Sequence, residues 1–411
     1  MLEHVIAAVI RSSGKEYFAF DSRQGFNLTQ SARTKKYLLY VHIPFCEKLC
    51  PYCSFNRYEF QAELAVDYFV ALSKEIKIYH DYGYDFDGIY IGGWTPTILA
   101  EELFKTIKLL RQLFLISELS VETNPSHLTK ENLAAFKELS VNRLSVGVQS
   151  FNDDILKKIG RYDTYGSGEQ IKDKLRQARD DSYTLNVDMI FNFPFQTAQM
   201  LKHDIDSLAQ FLPDQVTFYP LMPSGAVSDK LGDYNQKKEK EYYFMLLDSL
   251  SSSWEPLSVW CFGRRKGMID EYIISRDEYI GVGSGSFGLL NGHIYANTFS
   301  PRQYIDKLER GQLPVTFSKQ FTKKELLRYS FLMQLFGTTL DIQKFSDKYS
   351  LDFLKLMRKE LSFLKITGVI IIRNGQISLT RKGMYYWLVA MREFFISVNN
   401  FRQHCRNFSY N

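Results

Sequence analysis

Three observations predict an α/β protein with a parallel sheet and a small carboxyl-terminal domain. Short β-rich runs alternate with helical periodicity, the unusual motifs fall just after those runs, and a helix–hairpin pattern follows near the end of the chain. Candidate strands are residues 37–43, 88–91, 119–122, 143–148, 185–191 and 216–221. Between them lie stretches with 3.6-residue spacing, such as Leu64, Tyr68, Leu72, Ile76 and Tyr79, then Leu103, Ile107, Leu110 and Leu113. Six strands with five intervening helices require parallel crossovers. Such a sheet presents its chemistry at the carboxyl ends of its strands.

Past residue 225 the alternation stops, and residues 230–240 are polar and charged, which places a boundary there. Residues 280–300 combine glycine with aromatics and read as a loop returning to the site. From residue 322 come three helical patterns, then a strand, an Asn374-Gly375 turn and a second strand, the order of a winged-helix-like module. The expected units are an N-terminal extension (1–36), the parallel sheet (37–225), a flanking region closing the site (226–320) and the winged-helix-like domain with an aromatic terminal helix (321–411).

Composition narrows the function. The chain of 411 residues is 45% hydrophobic and 24% charged, which excludes disorder, and 51 basic against 46 acidic residues make no basic stripe for nucleic acid. The third helical segment mixes Lys355, Arg358 and Lys359 with Asp352 and Glu360, so the winged module offers phosphates little. No apolar run is long enough to span a bilayer, and the amino terminus lacks a secretory layout, so a cytoplasmic location is expected. Aromatic residues at 15% suit an apolar ligand. The tail beyond Met384 holds eight of them, with Arg392, Arg402 and Arg406 against Glu393. Such an amphipathic tail can dock peripherally on a membrane; the alternative is a packed terminal helix.

The chemistry concentrates after the first strand. Cys46, Cys50 and Cys53 form a C-x3-C-x2-C pattern, and the other two cysteines, Cys261 and Cys405, lie over two hundred residues away and read as structural. Three thiolates on one loop can hold three corners of an iron–sulfur cubane and leave the fourth iron open. The alternatives are a zinc site completed by His42 and three core cysteines, both disfavoured because zinc sites prefer paired C-x2-C units.

With Tyr40-Val-His-Ile-Pro-Phe-Cys46 and Gly147-Val-Gln-Ser-Phe-Asn-Asp153 beside it, this pattern resembles the radical S-adenosylmethionine (SAM) superfamily, in the branch of oxygen-independent coproporphyrinogen III oxidase. The resemblance implies a partial (β/α)6 barrel, a [4Fe-4S] cluster on Cys46, Cys50 and Cys53, an electron donor of flavodoxin or ferredoxin type, and a 5'-deoxyadenosyl radical. It implies two SAM molecules: Tyr40, Gly93, Glu122 and Phe287 around the cluster-bound one, and Tyr52, Trp94, Thr95, Gln149, Arg161, Asp188 and Pro220 around the second. Two positions depart from the pattern. Trp94 replaces a third glycine in Gly92-Gly93-Trp94-Thr95-Pro96, and Phe195 replaces the glycine of a Pro-Gly-Gln-Thr turn. Trp94 can stack on a ligand, fill core space, or impair the second SAM.

Within this branch the stretches Asn186-Val-Asp-Met-Ile-Phe-Asn-Phe-Pro194, Tyr279-Ile-Gly-Val-Gly-Ser-Gly-Ser-Phe287 and Phe394-Phe-Ile-Ser-Val-Asn-Asn-Phe401 are similar to menaquinone methyltransferases. The expected reaction is therefore class C radical methylation of a lipophilic naphthoquinone. The alternatives are a methyltransferase of anaerobic heme degradation, an oxygen-independent coproporphyrinogen oxidase, and a heme chaperone. The chaperone reading is weakened because its His-Asn-x-x-Tyr-Trp motif reads Gly263-Arg-Arg-Lys-Gly-Met-Ile-Asp270 here.

Overall fold

The β-rich runs form the centre of one twelve-stranded sheet. The computed structural model describes residues 2–20, 26–53, 55–222, 227, 230–232, 234–265, 276, 278–350 and 352–408, the side chains of 407 and 408 excepted. The chain begins with α1 (Leu2–Tyr17). Strand β1 (Lys36–Ile43) is buried from its second residue onward, as a strand covered on both faces must be. It is followed by α2 (Ala62–Asp81), β2 (Asp85–Gly93), α3 (Ala100–Leu113), β3 (Glu118–Thr123), α4 (Lys130–Glu138) and β4 (Arg143–Gln149). Then come α5 (Gly168–Gln177), β5 (Thr184–Phe191), α6 (Ala198–Phe211) and β6 (Gln215–Pro220). Strands β1 to β6 pair in parallel and in chain order, the arrangement expected of a partial (β/α)6 barrel.

Periodicity explains the crossovers. On α2 the buried Ala65, Tyr68, Phe69, Leu72, Ile76 and Tyr79 share one face, which covers the sheet. Helix starts are fixed by side-chain oxygens: Thr129 caps α4, Thr197 caps α6, and Ser167 with Gln170 makes a reciprocal capping box on α5.

Beyond residue 225 the sheet continues at both edges. After α7 (Gln236–Leu250) come β7 (Glu255–Pro256) and β8 (Cys261–Gly263); β8 adds antiparallel to β6, and β7 antiparallel to β8. At the other edge β9 (Tyr279–Val282) pairs parallel with β1, and β10 (Phe287–Leu290), β11 (His293–Asn297) and, after α8 (Pro301–Glu309), β12 (Val315–Gln320) extend it antiparallel. The expected loop at 280–300 is thus mostly strand. Gly288 leaves room for the buried Tyr295, whose ring would lie 2.3 Å from a Cβ there. Gly283 to Ser286, a turn with positive φ at Gly283 and Gly285, remains loop, as do the hairpin turn at Asn291 and Gly292 and residues 298–300.

The carboxyl-terminal part contains α9 (Lys323–Phe336), β13 (Thr339–Asp341), α10 (Ile342–Tyr349), the short helices Phe353–Leu356 and Arg358–Ile366, and the hairpin β14 (Ile370–Arg373) and β15 (Gln376–Leu379). Asn374 and Gly375 both take positive φ at the hairpin turn, as a two-residue primed turn demands. The final helix, α11 (Arg381–Phe408), corrects the membrane expectation: Met384 through Met391 are all buried, and Trp387 Nε1 donates to the Leu332 carbonyl at 3.0 Å. Its aromatics among the described side chains pack on protein, because α1 and α9 take the apolar stripe that a bilayer would otherwise receive. The approach of α1 is close enough that a Cβ on Gly14 would lie 2.5 Å from Ser397 Oγ. Buried Arg392 pairs with Glu239 of α7 and with Glu393, and Glu393 also receives Arg11 of α1 at 2.9 Å. No helix among the described residues is long and apolar enough to cross a membrane. Cys261 and Cys405 are buried, and no disulfide joins them.

Candidate functional site

The cysteine loop is pinned at its neck. Tyr58 N–H donates to the Pro44 carbonyl at 2.7 Å and Phe60 N–H to the Cys46 carbonyl at 2.9 Å, closing residues 46–58 into a loop. Inside it the three thiols are buried, and Phe55 N–H donates to Cys53 Sγ at 3.3 Å. Burial pushes the Cys53 thiol up to about 12 and raises Cys46 as well, so a bound metal is what would hold them as thiolates. The zinc alternative fails on geometry. His42 Nδ1 lies 2.8 Å from the Tyr40 hydroxyl and Nε2 lies 3.2 Å from the Asn56 carbonyl, so Nε2–H donates, Nδ1 accepts, and neither nitrogen is left for a metal. Burial, then the charge of Arg402, lowers His42 to about 3. Among the described residues no three His, Cys, Asp or Glu side chains converge as a single ion requires. One thiolate per iron suits the cysteine set instead.

Beside the loop, the second strand end seats a carboxylate. Glu122 accepts from Gly93 N–H at 3.0 Å and from the Tyr90 hydroxyl at 2.8 Å. Both glycines are needed. A Cβ on Gly92 would lie 2.6 Å from Glu122 Oε1, and Gly93 has φ +123 with the Ile43 carbonyl 2.5 Å from where a Cβ would stand. Asp188 accepts from Ser145 at 2.7 Å and Asn186 at 2.8 Å. Gln149 takes φ +76 where β4 slips register against β5, a strained backbone at a strand end facing the cavity.

A polar chain links the thiols to Arg161. Asn124 Nδ2 donates to Thr95 Oγ1 at 2.7 Å, which leaves the threonine proton for Cys46 Sγ at 3.8 Å. Arg161, 3% exposed, donates to Asn124 Oδ1 at 3.1 Å, to the Tyr52 hydroxyl at 3.2 Å and to the Gly147 carbonyl. Its Nε finds no acceptor among the described residues, and neither does the buried Nε1 of Trp94. The Trp94 ring has Phe55 at its edge, 6.1 Å away, and the Arg57 guanidinium over its face at 5.4 Å.

The thiols, Glu122, Asp188, Thr95, Asn124, Arg161 and Trp94 border one cavity of about 270 Å³. It gathers Tyr40, Cys46, Cys50, Tyr52, Cys53, Gly93, Trp94, Thr95, Glu122, Gln149, Arg161, Asp188, Pro220 and Phe287, all the cluster and SAM positions that the resemblance implies. Phe195 stands aside from it, stacked on Phe193 at 5.6 Å. The cavity also contains residues that sequence reasoning missed. Ser145 precedes Gly147 and Gln149 by two and four positions, and Asn124 follows Glu122 by two, so strand alternation carried the signal for both. Phe18, Phe394, Phe395, Val398 and Arg402 come from the two ends of the chain; the tail is legible as aromatic and basic, but nothing local to either segment places it at the cavity. The divergent segment at 263–270 lies outside the described residues from Lys266 onward.

Residues 40–208 match the family model described as the radical SAM superfamily. Over that span the chain is similar to the radical SAM domain and carries its fold. Its cofactors are a [4Fe-4S] cluster and SAM, and the buried cysteines, the seated carboxylates and the unsatisfied Nε of Arg161 fit them. Over most of both lengths the chain is similar to two curated proteins. The heme chaperone HemW of Bacillus subtilis is 29% identical, with 84% of this chain and 95% of that protein covered. The oxygen-independent coproporphyrinogen III oxidase of Synechocystis is 27% identical, with 86% and 82% covered. Among solved structures, coproporphyrinogen III oxidase HemN from Escherichia coli superposes with a TM-score of 0.76 at 22% identity, over 91% of this chain and 94% of that one, which shows the shared fold. These relatives are named for heme and coproporphyrinogen. The menaquinone methyltransferase expectation finds no support among them: the stretches that suggested it lie in β5, in β9 with the turn after it, and in α11, all parts of a chain whose fold is shared with these relatives.

Proposed function

We propose that this chain is a radical SAM enzyme whose substrate is a tetrapyrrole bearing carboxylate side chains. The observation that carries the reading is the two-sided cavity. Its polar side holds the cysteine loop, Glu122, Asp188 and Arg161, and its other side is aromatic, with Phe18, Phe287, Tyr329 and Phe394. A flat macrocycle suits the aromatic side, and Lys48 on the cavity lining offers an ammonium to its carboxylates. The names of the relatives support the same substrate class.

In this reading Cys46, Cys50 and Cys53 hold the cluster, which when bound supplies the electron that cleaves the sulfonium of SAM. Glu122 accepts hydrogen bonds from the ammonium of the cluster-proximal SAM, between Tyr40, Gly93 and Phe287. Arg161 offers its remaining donor to a carboxylate, with Tyr52, Thr95, Gln149, Asp188 and Pro220 around a second ligand. Trp94 offers that ligand its indole N–H and a face to stack on. The aromatic side excludes water from the reacting carbon.

The test gives the anaerobically reconstituted chain SAM, dithionite, and in turn heme, coproporphyrinogen III or menaquinone. A tetrapyrrole should raise 5'-deoxyadenosine formation and itself be consumed, with the active one naming the reaction. Menaquinone consumed with both tetrapyrroles untouched overturns the proposal. Heme bound tightly with no rise in 5'-deoxyadenosine overturns it in favour of a carrier.

A further inference from the structure

Two guanidiniums lie against the cysteine loop from opposite ends of the chain. Arg57 Nη1 donates to the Cys50 carbonyl, with its guanidinium over Trp94. Arg402, on α11 and 7% exposed, lies over the ring of Phe55 at 4.7 Å and over Phe287 at 5.4 Å, and Nη1 is oriented by Asn399 Oδ1 at 3.1 Å. Phe55 is the residue whose N–H reaches Cys53 Sγ, and Arg406, four residues beyond Arg402, donates to the Phe55 carbonyl at 3.3 Å. The end of α11 is therefore fastened to the segment that follows Cys53. The carboxylates of the cavity, Glu122 and Asp188, sit on the strand ends, where neighbouring donors hold them.

We propose that Arg57 and Arg402 are positioning residues for the cluster's charge, and that they raise its reduction potential. A cluster on three thiolates gains one negative charge when it accepts one electron from an external one-electron donor, with no atom transferred. Fixed cations beside the loop stabilise that added charge more than the resting state, and burial limits screening by water and salt. Stacking between phenyl rings keeps the Arg402 charge in place, since a guanidinium tolerates aromatic faces better than an ammonium does. Neutral His42, on the same side, adds no competing charge. This inference rests on the cluster, not on the identity of the substrate, so it stands or falls separately from the tetrapyrrole assignment.

The test is a potentiometric titration of the reconstituted full chain, followed by electron paramagnetic resonance of the reduced cluster, without SAM or substrate. Arg402→Met keeps the aliphatic packing and removes the charge; Arg402→Lys keeps the charge. Arg402→Met and Arg57→Met should each lower the reduced-to-oxidised ratio of the cluster at a fixed poise by roughly tenfold, a midpoint shift of about 59 mV for a one-electron couple. Arg402→Lys should stay near wild type. An unchanged midpoint in Arg402→Met with full iron content overturns the proposal, as does an equal shift in Arg402→Lys, which would mark a packing role. Where Arg402→Met fails to take up iron, Arg57→Met decides alone: a lowered midpoint supports the proposal and an unmoved one overturns it.

Discussion

The polar and aromatic sides of the cavity are built differently. The polar side comes from neighbouring strand ends within one continuous stretch, and its residues are locked by short hydrogen bonds and by backbone that tolerates no Cβ, as at Gly93. The aromatic side is assembled from segments hundreds of residues apart, Phe18 against Phe287 at 6.0 Å and against Phe394 at 5.7 Å, with no directional bond between the rings. The contrast teaches that the two sides should fail differently. Damage to the first should remove cofactors from an intact fold, and damage to the second should loosen the fold and the substrate while sparing the cofactors.

The largest effect is expected at the cysteines: replacing Cys46, Cys50 or Cys53 by Ala should abolish iron–sulfur absorbance and all 5'-deoxyadenosine formation. Next comes the carboxylate seat. Glu122→Gln removes a charged acceptor, and SAM affinity measured by calorimetry should fall by about 1.5–3 kcal/mol, on the order of 10- to 100-fold, with an unchanged melting temperature. An unchanged affinity would detach Glu122 from SAM. On the aromatic side, Phe394→Ala should cost about 3–5 kcal/mol of stability in denaturant titration and weaken the tetrapyrrole, with SAM affinity retained. Were SAM affinity to fall as well, the two sides would not be separable.

The smallest effect is a pH slope. Burial pushes Glu75 up to about 7, although Gly283 N–H at 2.8 Å, Asn297 Nδ2 at 2.8 Å and the Tyr304 hydroxyl at 2.5 Å all donate to it, and burial likewise pushes Asp204 up to about 7. In this window the folded chain holds more protons than the unfolded one. Stability from these two groups is therefore fully present below about pH 4 and is lost as pH rises toward 7 and past it. Melting temperature measured across that range should decline, and Glu75→Gln with Asp204→Asn should flatten the decline. A slope unchanged in the double variant would remove both carboxyls from the account. Glu75 holds the Gly283 turn that borders β10 and Phe287, so its readout belongs to the aromatic side.

The sequence by itself determined the parallel strands and the cysteine loop, because strand alternation and fixed motif spacing act over a few residues and leave a local record. The polar side could be named only through resemblance, and the contact that requires Gly92, a carboxylate of Glu122 where a Cβ would stand, is tertiary. Tertiary structure alone decided that residues 280–300 are mostly strand, where Tyr295 needs Gly288 opposite it. It also turned the aromatic tail inward onto α1 and α9 rather than outward to a bilayer, and it brought Phe18 and Arg402 to the cavity. Hydrophobic burial carries no direction and no preferred sequence separation, so an apolar stripe records that it must be covered and not by what.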